Sequence, residues 1–193
     1  MQTAPFSFAR IGANPVRTMS LFAIEPARFT HVPAIAAIYG EAVLNGTATF
    51  EIEPPDEAEM ARRMAALAEG GFPYLVALRG DEVLGYGYAG PYRARIAYRN
   101  TVEDSIYLAP ESRGRGVGRR LLGALIAESE ERGFRQMVAV IGDSGHAASI
   151  RLHEAAGFAM VGTFRDVGYK HGRWLDTVLM QRPLGPGGAT PPG

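Results

Sequence analysis

Cysteine is absent from this chain of 193 residues. Without it there can be no disulfide framework, no thiolate nucleophile and no zinc–thiolate site. Charge excess is absent too, because 20 basic residues balance 20 acidic ones. No basic surplus is left to hold nucleic acid, and there is no acidic tail. No run of residues approaches the roughly 18 consecutive apolar positions that a membrane span needs. Histidine is scarce, at four residues, and His31, His146, His153 and His171 form no H-E-x-x-H or other ligand spacing, so no metal is expected. These exclusions leave a protein that binds neither membrane nor nucleic acid, for which a cytoplasmic setting is expected.

What the chain does have is apolar content, at 47%, enough for one substantial core and short of two independent domains. Residues 1–18, MQTAPFSFARIGANPVRT, carry arginine and small polar residues but no acid. A secretory signal needs an apolar core of about 7 to 15 residues, which is lacking. Residues 1–19 are therefore expected to be a flexible extension, with Met19 as an alternative start. GPGGATPPG at the other end cannot bury enough surface to order itself, so a flexible tail is expected over 185–193. That leaves 20–184 as the folded domain.

Hydrophobic periodicity divides that domain cleanly. LFAIEPA at 21–27 reads as a strand, and Ile35, Ile38, Ala42 and Val43 then recur at helical spacing with Pro33 in the first turn. Asp56 is a candidate N-cap for a second helix that Gly70 and Gly71 end. YLVALRG and EVLGYGYAG are strands joined through Gly80-Asp81. TVEDSIYLA follows, then a glycine turn and a helix over 117–132 with an apolar stripe of Val117, Leu121, Leu122, Leu125 and Ile126. QMVAVIG is nearly all apolar, which predicts a strand buried on both faces and paired in parallel through a crossover. A helix over 147–156 and two closing strands turned near Lys170–Gly172 complete an α/β fold with a mixed sheet. Trp174 and the helix leucines are expected in the core.

The glycine turn, Arg113-Gly114-Arg115-Gly116-Val117-Gly118, carries most of the functional information. Closely spaced glycines let backbone approach a ligand, and the helix that starts there presents unpaired N–H groups and its positive dipole end. Arg113, Arg115, Arg119 and Arg120 add mobile positive charge, so the turn suits a pyrophosphate. No Lys-[Ser/Thr] follows the last glycine, as a P-loop requires. The third glycine comes one residue too early for a dinucleotide fingerprint, and Gln136 stands where its acid would be. ATP and NAD are both disfavoured.

Arg113, Gly116 and Gly118 also match [Q/R]-x-x-G-x-[G/A], the acetyl-CoA pyrophosphate signature of the GNAT superfamily of N-acetyltransferases, which the chain resembles. Within it, the chain is similar to the phosphinothricin and methionine sulfoximine or sulfone N-acetyltransferases. The matching blocks are YGEAVLNGTATFE, GYGYAGPYRARIAYRNTVEDSIYLAP, VAVIGDSGHAASIRLHEAAGF and GYKHGRWLDTVLMQRPL, which with the turn span nearly all of 20–184. The resemblance implies a mixed, largely antiparallel sheet of about seven strands with four helices. Its centre would splay to admit acetyl-CoA, the implied co-substrate. It also implies a homodimer and a small-molecule amine acceptor. One departure is His146, where relatives usually carry Asn in D-S-x-N-A-A-S. An imidazole cannot offer both a donor and an acceptor on one group as an amide does.

Acetyl transfer to an amine needs a deprotonated nucleophile, a polarised thioester carbonyl and a proton for the departing thiolate. Glu103 is the candidate base, on the strand leading into the turn, and the family's T-V-E motif is matched by Thr101-Val102-Glu103. The competing reading is a strand-end acid paired with Arg93, Arg95 or Arg99. For the co-substrate the candidates are Ile106, Tyr107 and Leu108 along the pantetheine, Arg113, Gly114, Arg115, Gly116, Val117, Gly118 and Arg119 at the pyrophosphate, and His146 and Ser149 in the next motif. For an amino acid acceptor they are Tyr92, Arg93, Arg95 and Tyr98, with Phe50 beside Thr49 on the opposite wall; guanidinium groups suit a carboxylate and rings suit a carbon chain. A solvated basic loop is the alternative. His153 reads as a second acid/base candidate or, preferably, a buried structural histidine. Tyr107 or Tyr169 is open as the thiolate's proton donor. Other acceptors to weigh are a polyamine or another small amine and a protein N-terminus, and a non-catalytic CoA-binding module is the rival from another class.

Overall fold

Val32, Ile35, Ile38, Tyr39 and Val43 recur at helical spacing and form the buried stripe of α1 (Val32–Asn45), whose first turn holds Pro33. Asp56 starts α2 (Glu57–Glu69) as expected, its Oδ1 accepting from the Glu59 N–H at 2.7 Å. The computed structural model describes residues 22–192. The expected extension over 1–19 lies outside them.

Among the described residues, seven strands form one sheet. They are β1 (Ala23–Pro26), β2 (Tyr74–Arg79), β3 (Glu82–Pro91), β4 (Thr101–Leu108), β5 (Gln136–Gly142), β6 (Ala159–Lys170) and β7 (Arg173–Pro183), in spatial order β1-β2-β3-β4-β5-β7-β6. Only β4 and β5 pair in parallel, through the crossover helix α3 (Val117–Glu131), and every other pair is antiparallel. The last helix, α4 (Ala147–Ala155), follows β5. Strand alternation sends Tyr74, Val76 and Tyr86 to one face against α1 and α2. It sends Leu75, Ala77 and Leu84 to the other, against Leu121 and Leu125 of α3.

The parallel pair is short. Thr101↔Gln136 through Asp104↔Ala139 are in register. Beyond them Ser105–Leu108 keep only their β3 partners and Val140–Gly142 only their β7 partners. The sheet therefore opens into a cleft at its centre, on the end that leads into the glycine turn. This corrects one expectation: β5 is not buried throughout, because Val140 at the cleft is 36% exposed.

Two more expectations change. Trp174 is 60% exposed, outside the core, with its ring 5.3 Å from Tyr169 on the β6–β7 hairpin. Backbone period alone does not reveal that an edge hairpin has no helix over it. After β7, Leu184 is fully buried, and Arg135 donates to the carbonyls of Gly187 at 2.9 Å and Thr190 at 2.6 Å. The described part of the segment expected as a flexible tail is thus tied to the domain by a side chain 50 residues upstream, a contact invisible to composition.

Candidate active site

The glycine turn joins β4 to α3. Gly114 and Gly116 take positive φ, 72° and 80°, which a side chain would strain, and Gly116 is the residue that precedes the first turn of α3. No side chain caps that helix, so the N–H groups of Val117, Gly118 and Arg119 face outward as expected of a first turn. Val117 is buried, at 1% exposed. Gly118 sits where β4, α3 and α4 meet: a Cβ there would lie 3.4 Å from Leu108 and 3.5 Å from Leu152.

The four arginines behave differently from one another. Arg113 Nη2 is 2.6 Å from a Glu41 carboxylate oxygen, and Arg120 donates to the Phe22 carbonyl at 2.8 Å with its guanidinium over the Phe22 ring. Arg115 and Arg119 are exposed and make no hydrogen bond or ion pair among the described residues. The mobile charge expected of all four belongs to these two.

Glu103 lies on β4 opposite Gly90 of β3, at the closed end of the cleft. It is half-buried and makes no ion pair among the described residues, so the expected competing pairing with Arg93, Arg95 or Arg99 is not formed. Burial raises its carboxyl above the ordinary glutamate range, the neighbouring Asp104 charge raises it further, and Arg93 pulls the other way. Along the strand, Ile106 and Leu108 pack toward α3. Tyr107 points to the opposite face, its ring 4.9 Å from Tyr39 and 5.4 Å from Tyr86. Burial keeps the Tyr107 phenol protonated far above neutrality. Tyr169, the other candidate proton donor, stands 58% exposed on the edge strand β6, three strands from β4.

The loop from β5 to α4 closes the other side of the cleft. Asp143 takes a left-handed φ of 71°. Its carboxylate accepts from the Gly145 N–H at 2.9 Å and from Arg173 at 2.5 Å, and these bonds in that order hold its pKa low. His146 precedes the first turn of α4 without capping it, and its Nδ1 is buried with no partner. Burial pushes His146 below the ordinary histidine range, with Asp143 opposing and Arg113 assisting, so the ring is neutral at pH 7. Ser149 follows one turn later, and its carbonyl takes a bond from His153 Nδ1 at 2.8 Å. His153 is buried and its Nε2 meets Asp104 at 3.0 Å.

The substrate-side candidates form two groups. Tyr92 and Tyr98 pack edge to face at 5.8 Å, and Arg93 lies 5.1 Å over the Tyr92 ring. Arg95 is exposed on the same loop. That loop ends at Thr101, two residues before Glu103. Phe50 belongs to a separate wall. Its ring covers Gly168 of β6, Lys170 Nζ donates to the Thr49 carbonyl at 2.8 Å, and the Thr47 carbonyl would lie 2.3 Å from a Cβ on Gly142. Residues 47–50 thus lie over the C-terminal end of β5, beside the cleft, and Tyr39 ties them back to α1 through a 2.9 Å bond to Thr49.

Sequence reasoning missed Tyr39, Glu51, Arg63, Tyr86, Asp104 and Lys170. The Tyr86-x-Tyr88 alternation was a usable signal that these rings share a face. Nothing local marks Lys170 as 3% exposed or Arg63 as the partner of Glu51 at 2.7 Å. Among the described residues no cluster of His, Asp and Glu could hold a metal ion, and no helix is long and apolar enough to cross a membrane. A cavity of about 450 Å³ lies at the start of β4 and β5, away from the turn, where Arg135 holds the C-terminal segment.

The model of the acetyltransferase (GNAT) domain matches residues 28–179. The chain is 49% identical to a phosphinothricin N-acetyltransferase of Alcaligenes faecalis, over 98% of this chain and 95% of that one. It is 43% identical to an L-methionine sulfoximine/L-methionine sulfone acetyltransferase of Pseudomonas aeruginosa, over 87% and 98%. Among solved structures, a GNAT phosphinothricin acetyltransferase of Sinorhizobium meliloti in complex with acetyl-CoA superposes with a TM-score of 0.87 at 50% identity, covering 90% of this chain and 94% of that one.

Proposed function

The chain belongs to the GNAT acetyltransferases, and on that premise we propose that it moves acetyl from acetyl-CoA to the α-amine of a small amino acid or analogue of the phosphinothricin or methionine sulfone type. The observation that carries the reading is the placement of an unpaired, half-buried Glu103 at the head of a cleft that opens toward an anion-binding turn. The chain's own groups fit the co-substrate. Left-handed Gly114 and Gly116 and the free N–H groups of α3 suit a pyrophosphate, with Arg115 and Arg119 adding charge. Strand edges released at Ile106–Leu108 suit an amide-bearing pantetheine arm, and the orphaned Nδ1 of His146 supplies one further polar contact.

In this reading Glu103 takes a proton from the acceptor's ammonium, directly or through one water, and the freed amine attacks the thioester carbonyl. A main-chain N–H of the released β4 edge stabilises the oxyanion. The tetrahedral adduct collapses to the amide and CoA thiolate as its nitrogen gives up its remaining extra proton, and that proton reaches sulfur through Tyr107 or water. With no cysteine in the chain, direct transfer in a ternary complex needs no acyl-enzyme. Arg93 and Arg95 hold the acceptor's carboxylate, Tyr92 and Tyr98 flank it, and Phe50 forms the far wall. The reaction belongs in the cytoplasm, where acetyl-CoA is available.

Two copies are expected to pair along β6. That strand ends the sheet and exposes Val161, Phe164, Val167 and Tyr169, with Trp174 beside them on β7. An unpaired edge bearing apolar side chains is a surface that a second copy covers well.

The deciding experiment is CoA release from acetyl-CoA by purified protein across a panel of amino acids and analogues, polyamines and N-terminal peptides. Turnover is expected with phosphinothricin, methionine sulfoximine or methionine sulfone. Turnover confined to polyamines or peptides, or none at all, rejects the reading.

A further inference from the structure

The turn between β6 and β7 has two unlike faces. His171 and Gly172 both take left-handed φ, 52° and 73°, as a two-residue hairpin turn requires. Tyr169 and Trp174 are cross-strand partners and both are exposed. Alternation sends Gly168 and Lys170 to the other face. There Lys170 is buried, although it ends the edge strand of the sheet.

Residues 46–51 cover that face, and they form neither helix nor strand. Their carbonyls need partners that regular structure does not supply. The turn supplies two. Lys170 Nζ donates to the Thr49 carbonyl at 2.8 Å, and His171 Nε2 lies 3.1 Å from the Gly46 carbonyl. Arg173, the cross-strand partner of Lys170, reaches the same stretch through Asp143, whose carboxylate also accepts from the Thr47 hydroxyl at 3.2 Å. The Phe50 ring fills the space of the missing side chain at Gly168, where a Cβ would stand 2.4 Å from it. One short turn therefore seats the whole stretch.

Lys170 is the costly member of this seat. An ammonium taken out of water is unfavourable unless its surroundings compensate. Burial lowers its pKa below the ordinary lysine value, with the Glu51 charge opposing. An apolar side chain of similar length would fill the space without that cost, but it could not hold the Thr49 carbonyl.

We propose that Lys170 is a positioning residue for the acceptor, its ammonium fixing the Thr49 main chain so that the next residue, Phe50, stays in place as the wall of the acceptor side. The inference rests on the acetyl-transfer reading above, in which Phe50 forms that wall. Without the ammonium, Thr49 keeps its side-chain bond to Tyr39 but loses its main-chain anchor, and the ring leaves its seat. The co-substrate, held at the glycine turn, is untouched.

The test is steady-state kinetics of Lys170→Met with methionine sulfone as acceptor. The KM for the sulfone is expected to rise about tenfold, the equivalent of one net hydrogen bond, with kcat and the KM for acetyl-CoA unchanged. The thermal midpoint should hold, because relief of the buried charge offsets the lost bond. Gly168→Ala displaces the Phe50 ring from the other side and leaves the lysine in place. It should raise the same KM, and the double variant should show less than the product of the two effects, as expected of residues that act on one wall. An unchanged sulfone KM in Lys170→Met, or an equal rise for both substrates, overturns the proposal and leaves the acetyl-transfer reading standing. A midpoint lower by several degrees makes the lysine a structural residue and overturns it as well. Independent, fully multiplicative effects of the two substitutions do the same. No transfer by wild type to any amino acid removes both the proposal and the reading beneath it.

Discussion

Asp104 Oδ2 lies 3.0 Å from Nε2 of His153, and both side chains are almost wholly buried, on the face of β4 opposite Glu103. His153 Nδ1 meets the Ser149 carbonyl at 2.8 Å. With an acceptor on each ring nitrogen, the histidine must donate from both, which is the imidazolium form. Burial opposes that charge, but the bond and charge of Asp104 outweigh it and raise the histidine above 6.5.

The pair therefore makes stability depend on pH. A group whose pKa is higher folded than unfolded contributes fully below the unfolded value and loses its contribution as pH rises through the folded one. Urea unfolding is expected to show stability declining as pH climbs above about 6.5, the ordinary histidine value. Asp104→Ala should cost about 3–5 kcal/mol at neutral pH, as when one partner of a buried pair is removed. Asp104→Asn, whose amide oxygen still accepts from Nε2, should cost less and flatten the slope. A wild-type curve already flat over pH 6–9 would mean a neutral histidine.

Glu103→Gln is expected to reduce kcat by roughly 10²–10⁴, the usual loss for a general base, with acetyl-CoA affinity unchanged by calorimetry. Because burial and Asp104 raise the Glu103 carboxyl, wild-type kcat/KM should climb with pH through a value above 4.5. The glutamine variant should lack that limb. Equal turnover by the two proteins would remove Glu103 from the mechanism.

Gly116→Ala tests the turn. Nothing lies within 4 Å of the added Cβ, so the change acts through backbone strain alone, at about 1–2 kcal/mol for a left-handed residue. The KM for acetyl-CoA should rise about tenfold, while the KM for the amine stays the same. A change confined to the amine would place the co-substrate elsewhere.

Phe164→Asp puts a charge on the exposed face of β6. Light scattering should give a dimer for wild type and a monomer for the variant, with unchanged circular dichroism. A monomeric wild type, or a dimer untouched by the charge, would reject pairing through this edge.

Much of the fold was legible because its signals are local. Asp56 before an apolar period marks a helix start, Gly80-Asp81 between alternating runs marks a hairpin, and QMVAVIG after a helix marks a parallel strand. Trp174 escaped that reading because the same apolar side chain suits a core or an edge, and only its neighbours decide. The roles of Arg113 and Arg120 escaped it for a related reason. Both look like free charge in the turn, yet Glu41 and the Phe22 carbonyl, distant in sequence, engage them.

By itself, the order of residues determined the element sequence, the glycine turn before α3, and the carboxylate three residues into β4, since each depends on the chemistry of a few neighbouring positions. Tertiary structure alone decided where β4 and β5 part, that Glu103 is half-buried with no ion pair among the described residues, and that Tyr86 is fully buried. Those properties depend on which distant groups come within a few ångströms, on how much water they exclude, and on whether a hydrogen-bond partner comes with them.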